Sequence, residues 1–180
     1  MKVEKTNLPG VVIIEPKSFG DDRGYFFESF HERRYRVEAG IDAKFVQDNC
    51  SRSARGVLRG LHFQQAYPQG KLVQVTQGEV FDVVVDYNPE SPTFRQWVGV
   101  ELSAANHRQF YVPPGYAHGF VVLSDFADFS YKCTEYYHPE DEAGIIWNDP
   151  DIDIAWPTTD VTLSPRDTQW PTLADYWKAR

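Results

Sequence analysis

Cysteine is nearly absent from this chain: Cys50 and Cys133 are its only two, far apart and outside any metal-ligand spacing. They build neither a disulfide framework nor a cysteine-rich zinc site, and two reduced, inert thiols of a cytosolic protein are the expectation. Positive charge is also short, with 18 Lys and Arg against 26 Asp and Glu, a net charge of −8. Such a balance attracts neither nucleic acid nor an anionic membrane, so neither is an expected partner. An anionic ligand would need positive charge gathered locally, in a pocket. Long apolar runs are missing as well. The opening MKVEKTNLPG lacks the apolar stretch of a signal peptide, and no later segment approaches a membrane span. A soluble, cytoplasmic protein is expected.

What the 180 residues do contain is aromatic side chains, 15% of the total, and short apolar stretches broken by turn residues. The stretches run through 11–14, 25–30, 44–49, 57–63, 71–76, 79–87, 94–102, 109–112, 119–123 and 128–137. Each is rich in Val, Phe or Tyr and bounded by Gly, Pro, Asn or Asp, as strands are. Many short strands with turn signals between them predict an all-β sandwich or barrel. Helix is confined to 31–39, ending at Gly40, and 172–179, where Thr172 is a suitable N-cap. The length fits one domain over 1–180. Pro150, Pro157, Pro165 and Pro171 make 149–180 an irregular C-terminal extension that can return a residue to a site.

The densest chemistry lies between Gly56 and Gly78, which enclose His62, Gln64 and Lys71; Pro113-Pro114-Gly115-Tyr116-Ala117-His118 follows later. This resembles the two cupin motifs, in which a jelly roll presents side chains into its mouth. Metal-binding cupins carry His-x-His and a Glu in the first motif and a His in the second. Here His62 and His118 remain, Gln64 stands at the second His, and Lys71 replaces the Glu. A charged ammonium offers no lone pair and repels a divalent cation, so the chemistry is expected to be free of metal and cofactor. One His on a strand ordinarily has no role; two at these positions, with Lys71 and Arg59 nearby, indicate a site. By strand period, Arg59 points away from His62, and the two share a pocket only if Gly60 bends the strand.

Longer matches extend the likeness. FGDDRGYFFESF (19–30), FVQDN (45–49), RGVLRGLHFQ (55–64), KLVQVTQGEVFDVVVD (71–86), VPPGYAHGFVVLS (112–124), YKCTEYYHPEDEAGIIWNDPDIDIAWP (131–157) and LSPRD (163–167) follow in order. In these the chain resembles the dTDP-4-dehydrorhamnose 3,5-epimerase family over nearly its whole length. The resemblance implies a cupin-type jelly roll with a few short peripheral helices. It also implies inversion of carbons 3 and 5 of a dTDP-linked 4-keto-6-deoxy sugar. Both carbons flank the ketone, so the reaction needs a base, enolate stabilisation and an acid on the opposite face.

By that resemblance His62 is the base, Asp167 its orienting partner, Tyr131 the acid and Lys71 the enolate stabiliser. Asp82 is a second-ranked rival for the partner of His62. Arg23, Arg59 and His118 are implied as contacts to sugar and diphosphate, with Glu28, Gln47, Asn49 and Glu142 as further polar contacts. Tyr137 is implied as the platform for thymine. Arg166 stands where the family usually carries Lys, keeping the charge but not the donor geometry. The segment around Arg23 and Glu28 reaches a partner's site in the family, so a homodimer is implied. Alternatives are a single-centre epimerase, a cupin 3,4-ketoisomerase, a metal-dependent cupin oxygenase and a non-catalytic sugar-binding module.

Overall fold

The computed structural model describes residues 1–180. Its first half contains β1 (Lys2–Lys5), β2 (Val12–Glu15), β3 (Ser18–Asp21), β4 (Gly24–Phe27), α1 (Glu32–Ala39), β5 (Gln47–Ala54), β6 (Leu58–Gln64), β7 (Lys71–Gln77) and β8 (Glu79–Val85). There follow β9 (Trp97–Ser103), β10 (Gln109–Val112), β11 (Ala117–Val122), β12 (Phe126–Cys133), β13 (Glu142–Gly144) and α2 (Leu173–Lys178). A six-stranded sheet has the order β1-β2-β10-β7-β12-β5, and a five-stranded sheet the order β13-β6-β11-β8-β9. Pairing within both is antiparallel, and the two sheets form a cupin-type jelly roll.

Period-two alternation sorts the side chains into three layers. Val73, Val75, Phe110 and Phe129 from the first sheet meet Val80, Val84, Leu102 and Phe120 from the second, forming the central core. The intervening residues point outward. Leu72 and Tyr111 are covered by Tyr35 of α1, while Leu61, Phe63, Val83 and Val85 are covered by Ile152, Leu173 and Tyr176. Burying each such aliphatic side chain contributes about 1.5–3 kcal/mol, so α1 and the C-terminal segment are integral layers. Asp149 ties that segment down: its carboxylate accepts from the N–H groups of Asp151, Ile152 and Leu173.

Both expected helices form close to their expected limits. The His31 ring accepts from the Arg34 N–H at the start of α1, and Gly40 ends it at φ 71°. Thr172 caps α2 by accepting from the Asp175 N–H. Three short strands, β1, β3 and β13, lie outside the expected stretches. The strand expected over 44–49 instead begins at Gln47 and runs to Ala54. Its sequence QDNCSRSA is polar because β5 is an edge strand, half-buried at alternate positions only.

Gly60 carries a consequence for the site. Along β11, His118 pairs with His62 and Phe120 with Arg59, so two residues there span three on β6. This bulge restores Arg59 to the inward face, opposite the core residue Phe120. Gly60 has φ 124°, and a Cβ there would lie 2.6 Å from the Gly119 Cα.

Candidate active site

The open end of the jelly roll holds a cavity of about 270 Å³ that opens to solvent. Inward alternation supplies its wall: Gln47 and Asn49 from β5, Arg59 and His62 from β6, Lys71 from β7, His118 from β11 and Tyr131 from β12. Tyr137, Glu142 and Arg166 complete the rim. His62 and Tyr131 therefore come from different sheets and line the cavity from its two sides.

His62 Nε2 lies 2.5 Å from Asp167 Oδ1. The C-terminal segment brings this carboxylate back across the sheet, and two further groups fix it. Ser164 Oγ donates to Oδ2 at 2.8 Å, and Trp170 Nε1–H donates to Oδ1 at 3.2 Å. Burial works to raise the pKa of Asp167, but the bonds from His62, Ser164 and Trp170 outweigh it and hold the carboxyl below its ordinary value. On the other side of the ring, His62 Nδ1 lies 3.7 Å from Glu142 Oε1. Asp82 is not the partner of His62. Its Oδ1 faces His118 Nε2 at 2.8 Å, because both belong to the inward faces of neighbouring strands β8 and β11. Asp82 is fully buried, and desolvation raises its pKa against the pull of His118 and Lys71.

Lys71 makes no hydrogen bond to any side chain. Desolvation pushes its pKa down, against the opposing pull of Cys133, Glu142 and Asp82. An incompletely matched ammonium in a cavity wall is available to a developing negative charge. Burial pushes the Tyr131 phenol up, which keeps it protonated at neutral pH. At the rim, Tyr137 donates its hydroxyl to Glu142 Oε2 at 2.9 Å, and Arg166 forms an ion pair with the same carboxylate. Gln47 Oε1 accepts the Tyr137 N–H at 3.0 Å, and Gln47 Nε2 donates to Asn49 Oδ1. Arg59 Nε–H donates to Ser53 Oγ, which leaves its terminal nitrogens toward the cavity free of protein partners. Nowhere do three His, Cys, Asp or Glu side chains gather as a metal ion would require.

The sequence pattern of the dTDP-4-dehydrorhamnose 3,5-epimerase family matches residues 5–175. The chain belongs to that family. A dTDP-4-dehydrorhamnose 3,5-epimerase of Pseudomonas aeruginosa is 55% identical over 176 residues, 97% of each chain. That of Escherichia coli K12 is 54% identical over 175 residues, covering 96% of this chain and 95% of its own. The crystal structure of the Legionella pneumophila Philadelphia 1 dTDP-6-deoxy-D-glucose-3,5-epimerase in complex with dTDP-4-keto-L-rhamnose superposes with a TM-score of 0.93. It shares 56% identity and covers 96% of this chain and 93% of that one. The protein is thus an isomerase of the sugar-nucleotide epimerase class.

Of the residues implied by the family resemblance, Asp167 stands behind His62 without lining the cavity, and two others lie away from it. Arg23 sits at the tip of the β3–β4 hairpin, paired with Asp21, and Glu28 pairs with Arg34 of α1 at 2.7 Å. Other contributors went unnamed in the sequence. Ser164 and Trp170 orient Asp167, and the spacing Ser164-x-x-Asp167 is a turn signature that could have indicated the first. Trp170 carried no local signal. Gln64 is buried and directed into the rim, where its amide is fully engaged by the protein.

Proposed function

We propose that this protein inverts carbons 3 and 5 of dTDP-4-dehydro-6-deoxy-D-glucose to give dTDP-4-dehydro-L-rhamnose. Neutral His62 removes the proton next to the ketone through Nδ1, and the C–H electron pair moves into the ring to form an enolate at the C4 oxygen. Lys71 stabilises that oxyanion. As the enolate collapses, Tyr131 donates its hydroxyl proton to the opposite face of the same carbon. Exchange with water returns a proton to Tyr131 and removes one from His62, and the cycle repeats at the second carbon. Asp167 holds the ring and offsets the imidazolium charge while the proton resides there. The reading invokes no metal, since Lys71 stands where a ligating carboxylate would be needed.

The observation that carries this reading is the opposed placement of a carboxylate-backed imidazole on one sheet and a protonated phenol on the other, with Lys71, free of any hydrogen bond or ion pair, lining the same cavity. Arg59 and Arg166 supply local positive charge for a diphosphate on a chain of net charge −8, and His118 is a further contact to it. Gln47, Asn49 and Glu142 serve as polar contacts, and Tyr137 as the face on which thymine stacks. Arg23 and Glu28 act in the site of a partner subunit within a homodimer. The hairpin that carries Arg23 exposes Phe19, Tyr25 and Phe26, aromatic surface suited to burial against a second copy. The reading further takes 1–180 as one domain, with 149–180 packed on it, acting in the cytoplasm.

Product analysis tests it. Wild-type protein is incubated with dTDP-4-keto-6-deoxyglucose, and ring proton couplings of the product are read by NMR. Inversion at both carbons is expected, and none with His62→Ala. Inversion at one carbon alone would make this a single-centre epimerase, and full activity in His62→Ala would remove His62 as the base.

A further inference from the structure

We propose that Gln64 is a positioning residue that sets the place of Tyr137 and thereby the affinity for the thymidine end of the substrate. The proposal rests on the nucleotide reading given above. Gln64 occupies the position at which a metal-binding cupin carries a ligating His, yet its side chain is 4% exposed and its amide is used by the protein. Nε2 donates to the Tyr67 carbonyl at 2.6 Å and to the Tyr136 carbonyl at 3.2 Å. Oε1 accepts the His138 N–H at 2.8 Å. The two backbone groups flanking Tyr137 in the chain are therefore held by one side chain.

The rest of the rim is anchored elsewhere. At one end the Thr134 N–H donates to the Gly70 carbonyl, and the Gly70 N–H donates to Thr134 Oγ1. At the other, Asp141 accepts from the Ala66 and Tyr67 N–H groups. Between these ends, Gln64 links the 65–70 loop to the 136–138 segment, alongside the Tyr67–His138 ring stack. Tyr137 is then placed by its N–H on Gln47 and its hydroxyl on Glu142, with its neighbours fixed by Gln64.

The residue type follows from the inventory of groups. Two carbonyls and one N–H require two donors and one acceptor at the end of a flexible stem. A primary amide supplies these, a neutral imidazole supplies one donor, and a carboxylate supplies none. An amide consumed in this way is not free to bind ligand, so its influence passes through Tyr137.

The test compares wild-type protein, Gln64→Met, Tyr137→Ala and the double variant by calorimetric titration with dTDP and by steady-state turnover of dTDP-4-keto-6-deoxyglucose. Gln64→Met should weaken dTDP binding by about tenfold, the loss expected when two or three neutral hydrogen bonds holding a contact residue are removed. KM should rise by a similar factor while kcat stays within about twofold. In the Tyr137→Ala background the effect on dTDP affinity should vanish, since the two residues act as one unit. Unchanged dTDP affinity in Gln64→Met, a fall in kcat without a rise in KM, or an equal weakening in both backgrounds would overturn the proposal. If Gln64→Met does not fold, Gln64→Glu keeps the acceptor for His138 and loses both donors, and is judged by the same thresholds. A wild-type protein that does not bind dTDP would overturn the nucleotide reading and this proposal with it; binding that Gln64 does not affect would overturn the proposal alone.

Discussion

Lys71 and Asp167 carry opposite electrostatic burdens, and their variants should fail in different ways. Lys71→Met removes an amine that makes no hydrogen bond or ion pair in the protein, so turnover should fall by ~10²–10³ with folding intact. Steady-state kinetics beside a melting curve checks this, and an unchanged rate would place Lys71 outside the reaction. Asp167 is held below its ordinary carboxylate pKa in the folded state. Its contribution to stability is therefore present above the unfolded value of 3.8 and lost as pH falls through the lower folded value. Urea denaturation should show the advantage of wild type over Asp167→Asn complete above pH 3.8 and shrinking as pH falls below it. A difference that grows on acidification would contradict the assignment. At this scale the sequence was informative where a residue broke a pattern. Lys71 in place of a ligating Glu marked the site without any structure. The choice between Asp82 and Asp167 for His62 was decided by which strand faces which, and Asp167 returns from 105 residues away. Gln64 looked like a vestigial ligand position, and only its burial and bonds show it knitting the rim.

Single elements depend on register, and β6 is where register matters most for the site. Strict alternation would turn Arg59 away from His62, and the bulge at Gly60 brings both inward. Gly60→Ala combines a positive φ with a Cβ pressed to 2.6 Å from the Gly119 backbone, so β6 and β11 must separate. Destabilisation of about 2–4 kcal/mol is expected, measurable by chemical denaturation, with loss of turnover exceeding the fraction unfolded because Arg59 and His62 no longer share a cavity. A variant of wild-type stability and activity would contradict the bulge. The apolar strands were legible because β7, β8 and β10 are buried on both faces by valine, leucine and aromatic residues. Edge strand β5 was placed too early because its half-buried face is built from Gln47, Asn49 and Ser51, which line the cavity instead of filling the core. The four-residue β1 and β3 offered too short a period to read.

For the whole molecule, the homodimer reading makes each site dependent on a second chain. The Arg23 side chain is 90% exposed on its own protomer and pairs there with Asp21. If Arg23 serves the partner subunit's cavity, Arg23→Ala and His62→Ala should each be nearly inactive, and an equal mixture allowed to exchange subunits should recover roughly a quarter of wild-type activity. Half of the dimers then pair one variant with the other, and each of these has one intact site. No recovery, with exchange demonstrated by labelled subunits, would confine Arg23 to its own chain. No helix is long and apolar enough to cross a membrane.

The division of labour between His62 and Tyr131 is the centre of the account, and proton exchange in deuterated water reads it directly. Wild-type protein with dTDP-4-keto-6-deoxyglucose should incorporate deuterium at carbons 3 and 5, followed by NMR, with inversion at both. Tyr131→Phe should still wash deuterium into the substrate while net inversion falls much further, because the base remains and the acid on the opposite face is gone. Equal loss of exchange and inversion in Tyr131→Phe would contradict the separate roles, and no exchange at either carbon by the wild-type protein would contradict epimerisation of this substrate altogether.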